Sequence, residues 1–164
     1  MKGLENPTYL LLLIISNVAA LLMIVLAVKW PRISRMVLAT LFGWACYINW
    51  KTSQLTPQVY LEYGNLAWTP FYREFINGWF AGNIKLAVGG IATCQGLIAL
   101  GLLAGGRLLK IAGTGAILFL LAIIPLGVGS GFPATLLMAI AMLVTLRKAK
   151  TPLISKRLQP VAPN

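Results

Sequence analysis

From residue 111 to residue 146 the chain reads IAGTGAILFLLAIIPLGVGSGFPATLLMAIAMLVTL, a run without one charged side chain. A hydrocarbon core about 30 Å thick is crossed by roughly 20 helical residues. The run is therefore too long for one crossing and suits two. Its middle shows where the helix must stop, because Pro125-Leu126-Gly127-Val128-Gly129-Ser130-Gly131-Phe132-Pro133 concentrates helix-breaking prolines and turn-permitting glycines. Residues 108–126 and 132–146 are accordingly read as a hairpin of two spans.

Three further spans follow on working outward. Residues 86–106 are uncharged between Lys85 and Arg107, and residues 8–28 contain the run Leu10-Leu11-Leu12-Leu13-Ile14-Ile15. Residues 36–50 are short for a crossing, but Arg35 and Lys51 bound them, and their long stems can snorkel to the two interfaces. The first span has only Lys2 as a basic leader and no small-residue cleavage pattern at its end, so it reads as a retained helix. The expected fold is all-α, a polytopic transmembrane helix bundle of five spans. It divides into an N-terminal helix and basic loop (1–34), a four-helix bundle (35–147) with an aromatic outer segment (51–83), and a basic, Pro-containing tail (148–164) expected to be disordered and cytoplasmic.

Composition agrees with this. Apolar residues make up 59% of the 164 positions and charged ones only 10%, against roughly a quarter in a soluble domain. The absence of histidine excludes a Ser-His triad, a His-ligated haem and a facial-triad iron site. Cys46 and Cys94 are isolated in apolar stretches and read as buried free thiols, and no phosphate-binding or dinucleotide fingerprint occurs. The net charge of +11 is a matter of topology. With five spans and the N-terminus outside, ten of the fourteen bases and no acid fall on one side. The other side receives Lys2, Lys51, Arg73 and Lys85 with all three acids, Glu5, Glu62 and Glu74. That asymmetry places the C-terminus in the cytoplasm and the chain in the cell (inner) membrane. It gives no support to nucleic-acid binding.

Small residues recur at helix-packing spacing, as in Gly89 with Thr93, Ala92 with Gly96, Gly101 with Gly105 and Ala112 with Ala116. Polar residues within spans each need a partner. Gln95 lies about 15 Å below Lys85 by helical rise, where it either ties two helices together or lines a pocket for a quinone, lipid or other small amphiphile. In the outer segment, Trp68-Thr69-Pro70-Phe71-Tyr72-Arg73-Glu74 sets a Pro-defined bend and an Arg-Glu neighbour pair among aromatics. Two readings follow: an aromatic belt at the interface, or a lid over the bundle mouth. In the second, Tyr72, Arg73 and Glu74 join Asn49, Lys51, Trp68, Asn77, Trp79, Asn83 and Gln95 around an outward-facing pocket with few polar anchors.

Residues 35–146 resemble the DoxX-like family of small four-helix membrane proteins. The resemblance lies in a basic residue opening a short helix that ends Asn49-Trp50-Lys51, a Pro- and aromatic-rich outer segment, a helix reading Gly90-Ile91-Ala92-Thr93-Cys94-Gln95-Gly96, a basic turn at Arg107 and a final hairpin. The glutamate often found near the Cys94 or Gln95 position in that family is absent here, and the N-terminal helix lies outside the family pattern. The resemblance implies a subunit of a quinone-linked membrane oxidoreductase, or an accessory or assembly factor, with Lys51 as the position carried over. The first functional expectation is therefore a non-catalytic partner of other membrane subunits in a respiratory or electron-transfer complex. It would sit in the lipid bilayer and need no cofactor of its own. The alternative is a binder or transporter of a quinone or lipid, and a membrane enzyme using Glu62 and Glu74 comes third.

The topology is open to direct measurement. With Cys46 and Cys94 replaced, a single cysteine at Gln58 should react with a membrane-impermeant maleimide added outside, and one at Lys110 only after permeabilisation. The reverse pattern would overturn the orientation.

Overall fold

The computed structural model describes residues 3–148, and every regular element among them is helical. Apart from Lys148, the expected tail lies outside the described residues. In chain order the α-helices are α1 (Pro7–Lys29), α2 (Pro31–Leu55), α3 (Glu62–Leu66), α4 (Pro70–Phe75), α5 (Ile84–Ala104), α6 (Gly106–Ala122) and α7 (Ala134–Lys148). The 3-10 turns Pro57–Leu61 and Ile124–Ser130 and a π-helical turn, Ile76–Phe80, occupy the connections.

Prolines set the boundaries. Asn6 accepts a hydrogen bond from the Thr8 N–H at 2.9 Å and caps α1, whose first residue is Pro7. Pro31 forces Trp30 out of the helical region, so it ends α1 and opens α2 in one step. With no breaker before Pro57, α2 runs to Leu55. It starts five residues before the expected 36–50 span and ends five beyond it, which brings Arg32 and Arg35 inside the helix. Two helices, α1 and α5, are each long and apolar enough to cross a membrane. A further candidate is α6 taken with Ile124–Ser130, a pair bent by 82° at the break anticipated from the Pro/Gly run.

The five long helices close into a ring in the order α1, α2, α5, α6, α7. Neighbours run antiparallel except α7 and α1, which run parallel, since a closed ring with an odd number of members must contain one such pair. Glycines allow the close approaches. Gly96 faces the Cys46 Sγ and Gly43 faces Ala99 along α2–α5, Gly101 meets Ala112 between α5 and α6, and Gly113 receives Leu146 of α7. Cys46 is thus half-buried and free, whereas Cys94, also free, lies on an exposed face. The expected burial of both thiols holds in part for Cys46 and fails for Cys94, because α5 turns its Ala92 and Gln95 side inward.

Two apolar clusters result. One, around Leu38, Phe42, Leu102, Ala116 and Met142, fills the half of the ring nearest the basic turns. The other, around Tyr60, Ile76, Phe80, Ile84 and Val88, lies beneath the outer segment.

A polar clasp closes the basic end. Thr145 donates to the Ala141 carbonyl at 2.8 Å, so in its 2.7 Å contact with Ser34 the Ser34 hydroxyl is the donor. Lys148 Nζ donates to the Val28 carbonyl at 2.9 Å, joining the ends of α7 and α1. Arg35 is fully buried and donates from Nε to the Leu102 carbonyl and from Nη2 to the Leu103 carbonyl, the latter at 3.0 Å. The last four carbonyls of a helix have no intrahelical donor, and a cation there also meets the negative end of the helix dipole. Gly105, at φ +88°, stops α5 at this point. Arg35 therefore turns inward as the cap of a neighbouring helix; it does not snorkel.

Replacing Arg35 by Met should cost about 2–3 kcal/mol, because it leaves two buried carbonyls without donors. Equilibrium unfolding in detergent measures this, and a loss below about 0.5 kcal/mol would exclude the capping role.

Candidate functional site

The helices of the ring differ in reach. Gly131, in the turn before α7, lies against Ser16 of α1, nine residues from its start. At 1.5 Å per residue the α6–α7 hairpin thus stops ~13 Å short of the outer end of α1. The segment between α2 and α5 fills this step.

That segment is anchored through its backbone and its rings. The Trp68 N–H donates to the Pro125 carbonyl at 2.9 Å, and the Trp68 ring packs edge-on to Phe132 at 4.7 Å. Gly127, at φ +63° and ψ −127°, lies directly under the indole, and a Cβ there would be 2.4 Å from its Nε1. Gly129 is similarly close to the Tyr63 ring, at 2.5 Å for a Cβ. The glycine-rich break is therefore a turn and also a seat for two aromatic rings. Thr69 accepts from the Tyr72 N–H at 3.3 Å to cap α4, Pro70 occupies its first position, and the Tyr72 hydroxyl donates to the Ala122 carbonyl where α6 ends.

Beneath this cover is a cavity of about 720 Å³. Its walls are aromatic and aliphatic, with Trp44, Tyr63, Phe75, Phe80, Val88 and Phe119 prominent. Through them runs one polar strip. The Tyr60 hydroxyl donates to Asn49 Oδ1 at 2.9 Å, which turns the Asn49 Nδ2 to Gln95 Oε1, also at 2.9 Å. Gln95 is 4% exposed, and its Nε2 is left with no hydrogen-bond partner among the described residues. Burial pushes the Tyr60 and Tyr63 phenols above their ordinary range, so both stay protonated and neutral. Among the described residues, no charged side chain lines the cavity.

Of the ten residues expected at the site, Asn49, Tyr72 and Gln95 line the cavity, and Trp68 packs in its cover. The others stand apart from it. Lys51 is exposed, with its Nζ 6.0 Å from the Tyr47 ring centre. Arg73 keeps a buried Nε without a hydrogen-bond partner, and its neighbour Glu74 is exposed. Asn77 faces Gly64, Trp79 stacks on Phe75 at 5.7 Å, and Asn83 donates to the Trp79 carbonyl at 2.8 Å at the head of α5. Neither Glu62 nor Glu74 reaches the cavity, and among the described residues no group of His, Cys, Asp and Glu could hold a metal.

Tyr60, Tyr63, Trp44 and Ser130 were not anticipated as lining residues. The alternate glycines 127, 129 and 131 carried the missing signal, since a surface stripped of side chains invites rings from elsewhere. No protein-family model, curated protein or solved structure matches the chain.

Gly127→Ala should displace Trp68, because the added methyl meets the indole and the backbone conformation opposes any side chain. We expect a loss of about 1–3 kcal/mol and a red shift of tryptophan emission as the cover lifts. An unchanged spectrum would show that Trp68 does not rest on this glycine.

Proposed function

We propose that the protein is a five-span integral membrane protein, N-terminus outside, that binds a small amphiphile in the cavity beneath its outer segment. Five spans are supported by the closed ring, because α2 lies between two membrane-length helices, α1 and α5, and α6 and α7 complete the circuit. The observation that carries the binding reading is the Tyr60–Asn49–Gln95 strip, a short polar line in an otherwise apolar enclosure. An apolar pocket with a few convergent polar groups is how ligand sites are built. A quinone or a lipid-derived molecule suits these walls.

The second reading is a non-catalytic subunit of a membrane complex, in line with the DoxX-like resemblance. It is favoured by the face of α2 that presents Trp44, Tyr47 and Trp50, each more than half exposed. Trp44 lies ~13 Å from Arg35 along the helix, well inside the hydrocarbon, whereas Trp and Tyr in contact with lipid prefer the interfaces. A partner helix covering this face resolves the mismatch. Its test is co-purification of a cofactor-bearing chain that is lost on Tyr47→Ala.

For the binding reading, native mass spectrometry after extraction in mild detergent should find a retained small molecule. Gln95→Leu should lower its occupancy about tenfold, the equivalent of one lost hydrogen bond of about 1.4 kcal/mol. An empty wild-type protein, or full retention in Gln95→Leu, would exclude it.

A further inference from the structure

Resting on that binding reading, we infer that the ligand is an amphiphile with one tail and an uncharged head bearing an acceptor oxygen, that its tail lies in the lipid-facing groove between α5 and α6, and that it reaches the cavity sideways from the bilayer.

The groove, of about 950 Å³, runs along α5 from Gly90 to Ala104 and along α6 from Leu108 to Phe119. Gly101 and Ala112 bring the two helices into contact near the basic turn. Small residues deepen the space. Gly90 has open room where a Cβ would stand, and Gly115 has only Ile98, at 4.0 Å. The rims are exposed to lipid, with Leu97 at 64%, Leu108 at 58% and Ile111 at 70%. Such a groove alone would not name its occupant.

Continuity with the cavity does. Ile91, Gln95 and Phe119 line both spaces, so these three side chains form a wall that the groove and the cavity share. Gln95 is the only amide in the groove among the described residues and faces the cavity as well. Its oxygen accepts from Asn49, and its Nε2 has no partner among the described residues. A donor so placed selects an acceptor oxygen, such as a carbonyl or hydroxyl, at the junction. Among the described residues neither space is lined by a charged group, so a phosphate or carboxylate head would be desolvated with no counter-charge. With the head at Gln95, the groove toward Ala104 offers ~13 Å for the tail.

Photo-crosslinking in lipid nanodiscs tests this with four diazirine probes: a long-chain methyl ketone labelled in mid-tail, the same ketone labelled beside its carbonyl, the corresponding headless alkane and the corresponding alkyl phosphate. The mid-tail ketone should label Leu97 and Leu108 at least about fivefold more than the alkane or the phosphate, and Gln95→Leu should abolish that excess. Gly115→Phe, which fills the groove without touching the polar strip, should remove the tail labelling while the head-labelled ketone still marks peptides around Tyr60 and Tyr72. Cavity labelling without excess in the groove would overturn the tail placement and leave the binding reading standing. Absence of cavity labelling by the head-labelled ketone would overturn the binding reading itself. Equal labelling by the phosphate would overturn the uncharged head.

Discussion

In hydrocarbon no backbone group can turn to water, so every helix end within the bundle needs a donor or acceptor from another element. Arg35 meets that demand for α5. It stands near the start of α2, fully buried, and donates to the carbonyls of Leu102 and Leu103. The register of the α2–α5 pair follows from this anchor, with Gly43 opposite Ala99, Cys46 opposite Gly96 and Asn49 opposite Gln95 along the same seam. The clasp at one end thereby positions the polar strip at the other. Ser34, beside Arg35, carries the same constraint to Thr145 of α7.

From this anchored end the helices rise to different heights, and the candidate site is the consequence. α6 and α7 are short, and a simple five-helix barrel would leave a notch above them. The outer segment fills the notch because its rings find glycines rather than side chains at 127 and 129. It covers the space without filling it. The lining is largely aromatic and aliphatic, groups that a bundle can expose to a cavity at less cost than unpaired polar atoms.

Much of the fold was legible in the sequence. Uncharged runs bounded by Lys and Arg, and one Pro/Gly break, located all five long helices, with ends off by up to five residues where α2 runs from Pro31 to Leu55, because helix length and breaker chemistry act locally. What composition could not convey was direction around each helix. Arg35 at the end of an apolar run has the same sequence signature whether it snorkels or caps, and the orphan carbonyls that decide the matter belong to residues 67 and 68 positions away. The site was half legible for a related reason. Asn49 and Gln95 stood out as polar residues inside spans, and both line the cavity. The charged and amide residues of the outer segment drew attention on chemical grounds, yet the tyrosines face inward. A short segment lying across a bundle has no periodicity strong enough to separate its faces.

The distribution of charge sharpens the same point. A chain with fourteen bases and three acids could have placed a cation in the cavity, and Lys51 and Arg73 are close to it in sequence. Instead three tyrosines, one serine and two amides line the cavity among the described residues. An ionised residue there would need its own partner in a low-dielectric enclosure, and without one it would be costly whether or not a ligand were present. An amide–phenol chain has a different property. Tyr60, Asn49 and Gln95 are linked in a line that leaves the Gln95 Nε2 amino group over at its far end among the described residues, without placing a charge in the cavity. On the binding reading proposed above, that leftover amino group is what distinguishes the strip from one that merely fastens two helices.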